Sequence, residues 1–205
     1  MSLKPLFNKH GCDKSKKHYY HLYYDKLFDR YPDPIKVLEI GVYKGDSTAA
    51  FLEYRPDCEF YGLDIFERVS IDDVKARIDG PVKLKSCNST NATQVNKILS
   101  EWNTKFDIII DDGSHYPADN KATAMNFSKW LAPGGTYVIE DVFPYHKMTL
   151  EEMNHPWLKR HSNEWNQFTF DSFYYWIKDN YKIENEIDLR SKSGEPDSYI
   201  IEMSK

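Results

Sequence analysis

The chain has 205 residues and a mass of 24.2 kDa, the length of one domain, or of one domain carrying an insertion, and enough to bury a sizeable core. Its 27 Lys and Arg against 32 Asp and Glu give a net charge of -5 and a pI near 5.8, which argues against a surface built to grip nucleic-acid phosphates. With 40% apolar and 15% aromatic residues the composition is globular; no run approaches a membrane span and Met1-Ser2-Leu3-Lys4 opens no signal-peptide core, so a soluble, cytoplasmic protein is expected, with neither nucleic acid nor membrane as partner.

Residues 1–34 form a basic, His- and Tyr-rich helical leader or lid. In it Tyr20, Tyr24, Leu27, Phe28 and Tyr31 share one helical face until Tyr31-Pro32-Asp33-Pro34 stops the helix. From residue 35 to 205, strands alternate with helices, as in a parallel sheet covered on both faces. The first strand, Ile35 to Ile40, leads through a glycine-bearing turn into a helix opened by Asp46, Ser47 and Thr48. Strands follow at Glu59 to Asp64 and Val82 to Ser86, with a helix at about 71–78 between them. Asn91 and Gln94 make a capping box for a helix whose Val95, Ile98, Leu99 and Trp102 lie on one face. Phe106 to Asp111 is the clearest buried strand, because its β-branched run is bounded by polar turns. A helix over about 119–131 should be closed by Pro133-Gly134-Gly135, before a strand from Thr136 to Ile139. The stretch 142–164 is too long for a plain connection and is expected to be a substrate-facing insertion. A helix from Trp165 to Tyr181 and a hairpin of Lys182 to Leu189 with Asp197 to Met203 complete the chain. The three cysteines, Cys12, Cys58 and Cys87, have no metal-knuckle or redox spacing and are expected to be free thiols.

Ligands of open α/β sheets bind beyond the carboxyl ends of the strands. There the sequence places Glu39-Ile40-Gly41-Val42-Tyr43-Lys44-Gly45, Asp64, Asp111-Asp112-Gly113-Ser114-His115 and Glu140-Asp141. Gly41 and Gly45 suit a tight turn approached closely by a ligand, although turn chemistry alone also explains them and G-x-G-x-x-G is not met. Asp64 ends the second strand at the distance where a carboxylate takes both ribose hydroxyls. Turn and acid together favour an adenosine-containing cofactor. Asp111, Asp112, Glu140 and Asp141 would repel one another unless neutralised. Hard oxygen ligands without a cysteine suit Mg²⁺, with one acid of each pair pointing into the site and Asp111 alternatively facing the cofactor. His115, three residues past Asp112, stands where a general base would serve. His146, His155 and His161 of the insertion could touch substrate, but they, like His10, His18 and His21 of the leader, read first as ordinary structural or surface residues.

The segments Val37 to Gly45, Tyr61-Gly62-Leu63-Asp64, Ile109 to His115 and Pro133 to Asp141 resemble class I S-adenosylmethionine-dependent methyltransferases, and more closely the metal-dependent macrocin and mycinamicin type of sugar O-methyltransferase. The resemblance implies a Rossmann-like, mostly parallel seven-stranded sheet with an antiparallel C-terminal strand and helices on both faces. It implies S-adenosylmethionine bound through Glu39, Gly41, Gly45, Asp64 and Asp111, Mg²⁺ held by Asp112, Glu140 and Asp141, and His115 as base. Gly11-Cys12-Asp13-Lys14 resembles a Gly-Thr-Asp-Lys element of related proteins, with Cys12 in place of Thr and no role assigned. The function expected is Mg²⁺-assisted methylation of a sugar hydroxyl on a small-molecule, nucleotide-linked or glycan acceptor. A catechol-like phenol acceptor, a nicotinamide-dependent oxidoreductase and a non-catalytic binding module are the alternatives. Oligomeric state stays open, since the aromatic leader suits a homo-oligomer contact as well as cover for its own site.

Overall fold

Runs of β-branched and aromatic residues set seven strands: β1 (Lys36–Ile40), β2 (Glu59–Asp64), β3 (Val82–Ser86), β4 (Phe106–Asp111), β5 (Leu131–Ile139), β6 (Lys182–Asp188) and β7 (Tyr199–Ser204). The computed structural model describes residues 2–205. The strands form one sheet in the order β3-β2-β1-β4-β5-β7-β6. β1 to β5 pair in parallel, and β7 runs antiparallel to both neighbours, β5 and β6. Strand order reverses between β1 and β4, so the crevice for a ligand lies at the carboxyl ends of those two strands.

The leader folds as α1 (Leu3–His10), α2 (Asp13–Lys16) and α3 (His21–Phe28). Its Leu3, Phe7, Tyr20, Tyr24, Leu27 and Phe28 are buried in one core with Phe51 and Leu52 of α4 (Asp46–Tyr54) and Val74 of α5 (Ile71–Arg77). The other sheet face is covered by α6 (Ala92–Trp102), α7 (Pro117–Phe127) and α10 (Gln167–Asn180), whose Val95, Ile98, Phe127, Phe170 and Phe173 share a second core with Ile109 and Tyr137. Segment 142–164 carries two short helices, α8 (Leu150–Met153) and α9 (Pro156–Arg160), and α11 (Arg190–Ser193) fills the last hairpin loop.

Two local expectations change. Pro133-Gly134-Gly135 does not stop a helix: α7 ends at Phe127, a 3₁₀ turn covers Ser128–Trp130, and the three residues lie inside β5, where the register against β4 shifts between Phe106 and Ile108. A bulge absorbs the proline and glycines that a regular central strand would reject. At α6, Asn91 caps as expected by accepting from the N–H groups of Thr93 and Gln94, but Gln94 Oε1 accepts from Asn88 N–H instead of completing the box.

Candidate active site

A cavity of about 570 Å³ opens at the strand-order reversal, lined by residues that follow β1, β2, β4 and β5 and by Asp13, Lys14, His18 and Tyr20 of the leader. A smaller one of about 320 Å³ adjoins it through Gly41, Asp64, Ile65, Gly113 and Ser114, which line both. Gly41 has φ +91, and a Cβ there would lie 1.9 Å from the carbonyl oxygen of Asp112. The turns after β1 and β4 therefore close on each other only because this residue lacks a side chain. Gly41→Ala is expected to cost about 3 kcal/mol of stability or more, combining left-handed strain with a backbone clash; a denaturant midpoint equal to wild type would contradict the packing described. Asp64 is fixed from both sides, its oxygens accepting from the N–H groups of Tyr43 at 2.7 Å and Phe66 at 2.9 Å. Each Asp64 oxygen keeps a further lone pair, and the residue lines both cavities.

Three acids meet on the floor. Asp112 follows β4 and Glu140 and Asp141 follow β5; the Asp111 carbonyl accepts from Glu140 N–H at 3.0 Å, which ties the two strand ends together. Most of their oxygens are held by the leader. Lys14 Nζ donates to Asp112 Oδ2 at 2.6 Å and to Glu140 Oε2, Tyr24 donates to Glu140 Oε1, and Tyr20 donates to Asp141 Oδ1 at 2.6 Å. Two oxygens are left without a hydrogen-bond donor among the described residues, Asp112 Oδ1 and Asp141 Oδ2. His115 Nε2 faces both, at 4.0 and 3.9 Å. Asp112, His115 and Asp141 thus present three donor atoms within 4.8 Å of one another.

Burial and charge act against each other here. Burial raises the Asp112 and Glu140 carboxyls above their ordinary values despite the opposing Lys14 ammonium. Burial also works to raise Asp141, but His115, His18 and the Tyr20 hydroxyl outweigh it and hold this acid low. For Lys14, burial is overcome by Asp112 and Glu140, which keep it an ammonium.

His115 is delivered by a backbone in the left-handed region, φ +62, and Asp141 likewise, φ +54. Trp165 Nε1 donates to the His115 carbonyl at 3.1 Å, and its ring lies 4.1 Å from that of Tyr116. This bond is how the segment after Asp141 reaches the site. The cavity linings contain no residue of 142–164, and His146 instead stacks on Phe170 and Tyr174 and pairs with Glu186.

Of the residues singled out from sequence, Gly41, Asp64, Asp112, His115, Glu140 and Asp141 line the larger cavity. Glu140 is there with both oxygens taken by Lys14 and Tyr24, so it stands apart from the Asp112, His115 and Asp141 donor group. Glu39, Gly45 and Asp111, expected at the cofactor, line neither cavity. Gly45 begins α4 at φ +81, with Val74 too close to admit a Cβ. Asp111 is the last residue of β4 and points into the core, where the Tyr137 hydroxyl donates to it at 3.4 Å; burial pushes its carboxyl up to about 7. Glu39 accepts from Ser47 and Thr48 at the start of α4, and burial pushes it up to about 7 against the pull of Lys14 and those hydroxyls.

Glu39 has a consequence for stability. From its ordinary 4.5 up to about 7, the folded protein keeps a proton that the unfolded chain has lost, so stability falls as pH rises through that window, by about 3 kcal/mol in total. Glu39→Gln is expected to remove that slope, so that the variant gains on wild type in urea melts between pH 4.5 and 7; a constant difference would contradict a neutral buried carboxyl.

The leader was expected as a lid or as cover for the site, but no part in holding the acids was read for Lys14, His18, Tyr20 or Tyr24. His18 is buried beneath Asp141, with Nδ1 2.9 Å from Ser198 Oγ and 3.6 Å from Asp141 Oδ1. Only the i, i+4 pair Tyr20 and Tyr24 carried a signal, as polar-tipped aromatics on one helical face; Lys14 and His18 lie outside that helix.

The profile of a family described as "Methyltransferase domain" matches residues 38–142. Mycinamicin VI 2''-O-methyltransferase of Micromonospora griseorubida is 33% identical over 135 residues, 62% of this chain and 32% of its own length. An 8-demethyl-8-alpha-L-rhamnosyl tetracenomycin-C 2'-O-methyltransferase of Streptomyces olivaceus is 30% identical over 153 residues, 68% of this chain and 37% of its own length. The chain therefore spans about a third of the length of these relatives. Among solved structures, the MycE methyltransferase of the mycinamycin pathway, in complex with Mg and SAH, matches 100% of this chain and 55% of its own, at 23% identity and a TM-score of 0.70.

Proposed function

The chain belongs to the methyltransferase domain family, and on that premise we propose that it transfers the methyl group of S-adenosylmethionine to a sugar hydroxyl, with Mg²⁺ at the acid cluster and His115 as general base. The observation that carries this is the pair of undonated oxygens, Asp112 Oδ1 and Asp141 Oδ2, facing His115 Nε2 across the cavity floor. Hard oxygen donors beside one imidazole fit a small divalent cation. Asp112 and Asp141 would hold it, and Glu140 joins them only by giving up Lys14. The sugar acceptor is supported by relatives whose names specify methylation of mycinamicin VI and of a rhamnosyl tetracenomycin.

The two cavities suit the two ends of the methyl donor. Ile40, Leu63, Ile65 and Cys87, with Asn88 and Asp119 among them, give the smaller cavity apolar walls and polar edges for an adenine. Asp64 lines both cavities and would hold the ribose hydroxyls by its carboxylate.

A sugar hydroxyl is a poor nucleophile near neutral pH. Bound Mg²⁺ would polarise that hydroxyl, and S-adenosylmethionine would supply the electrophilic methyl. The remaining work falls to the chain. His115 Nε2 takes the hydroxyl proton, which requires the imidazole to be neutral with its proton on Nδ1. Tyr20 and the backbone at Asp141 hold that acid in place, the hydroxyl donating to Oδ1 while also accepting from Asp141 N–H at 3.2 Å.

The test is release of S-adenosylhomocysteine across a panel of glycosides, nucleotide sugars and catechols with Mg²⁺ present. Turnover on a sugar class and none on catechols is expected. Turnover on catechols alone would move the acceptor to phenols, and release with no acceptor on the panel would contradict the assignment.

A further inference from the structure

Lys14 is 3% exposed and reaches the acid cluster from the segment with the least obvious purpose, Gly11-Cys12-Asp13-Lys14. Gly11 ends α1 in the left-handed conformation at φ 77, donating to the carbonyls of Asn8 and Phe7. Cys12 is buried and precedes α2, Ser15 donates to Asn8 Oδ1 at 2.7 Å, and Tyr20 N–H bonds the Lys14 carbonyl at 2.7 Å. The lysine stem is therefore held at its base, and its ammonium lies between Asp112 Oδ2 and Glu140 Oε2.

We propose that Lys14 is a tethered counter-cation that competes with the divalent ion for Asp112 and Glu140, and so sets how tightly, and against which oxygens, that ion binds. This rests on the metal assignment above. The argument is one of charge and place. Once ionised on binding a cation, the three carboxylates carry three negative charges, and one fixed ammonium leaves two, the charge of one divalent ion. The ammonium takes one oxygen from each of Asp112 and Glu140, which leaves the oxygens beside His115 as the ones open to the ion. A positive charge fixed a few ångströms from a cation site opposes cation binding strongly in so dry a place. Lys14 acts through the carboxylates and is a positioning residue. Its presence weakens the ion's binding and keeps it next to the base.

The experiment is Mn²⁺ titration followed by electron paramagnetic resonance, with no methyl donor or acceptor present, on wild type, Lys14→Met and Lys14→Gln, each checked for folding by near-ultraviolet circular dichroism. Both neutral variants are expected to bind Mn²⁺ at least about tenfold more tightly than wild type. A residue that only props the fold would leave affinity unchanged or lower it, and that result overturns the proposal while the metal assignment stands. Absence of Mn²⁺ binding in wild type and both variants overturns the two together. Wild type supplies a second readout that does not depend on the variants folding: the side-chain ammonium resonance of Lys14 in ¹⁵N-lysine-labelled protein. Mg²⁺ is expected to shift it with the midpoint of ion binding, and a resonance that stays fixed while the ion binds overturns the competition.

Discussion

Asp141→Asn is expected to lower methyl transfer by about 10³-fold while leaving the fold and the cofactor cavity intact. The substitution is unusually clean at this position. The backbone of Asp141 sits at φ +54, a conformation that Asn shares with Asp at little cost. The Tyr20 hydroxyl donates to Oδ1, and an amide oxygen still accepts that bond, without the charge assistance. Only Oδ2 changes, from an open carboxylate oxygen facing His115 Nε2 at 3.9 Å to an amide nitrogen that offers a cation no lone pair. Thermal melting near the wild-type value, with Mn²⁺ affinity and turnover both reduced, is the expected pattern. Loss of turnover with undiminished Mn²⁺ binding would separate Asp141 from the metal.

His115→Asn should cut kcat by about 10² to 10⁴, the scale of a lost general base, with little change in S-adenosylmethionine affinity. Asn is preferred to Ala because His115 too is left-handed, at φ +62, and an alanine would add backbone strain to the loss of the imidazole. The Trp165 indole bonds the His115 carbonyl, so the anchor from the following segment survives the change. Mn²⁺ affinity in the same variant distinguishes two roles. If Nε2 is a base beside the ion, affinity stays close to wild type; if it is a ligand, affinity falls together with turnover. Near-normal kcat would remove His115 from the chemistry.

The strands that build the site were plain in the sequence because buried parallel strands are written as continuous apolar runs, and Phe106 to Asp111 is such a run ending in acid. The alternation of side chains likewise made it legible that adjacent acids would diverge, as Asp111 and Asp112 do, one into the core against Tyr137 and one into the cavity. At Glu140 and Asp141 the chain has already left β5 and turned, so alternation no longer applies and both line the cavity. Glu39 and Gly45 matched a cofactor turn by residue type, yet their partners are Ser47, Thr48 and Val74, contacts set by how α4 and α5 pack. The leader's cover of the site was legible, but its grip on the acids was not. Tyr20 and Tyr24 read as the apolar face of a helix, and their rings are indeed buried with Phe28 and Phe51, but their hydroxyls end at Asp141 and Glu140, more than a hundred residues away. A tyrosine's burial is visible in periodicity; the partner of its hydroxyl is fixed only by tertiary structure. Lys14 was hidden for the same reason, since a lysine in a short polar turn ordinarily faces water.

The most direct test of a divalent ion at this carboxylate rim is the rate of S-adenosylhomocysteine release, on the acceptor class found by the panel, before and after exhaustive chelation and again after Mg²⁺ is restored. Turnover should fall to background in chelator and return in full with Mg²⁺. An undiminished rate in excess chelator would contradict the role given to Asp112 and Asp141.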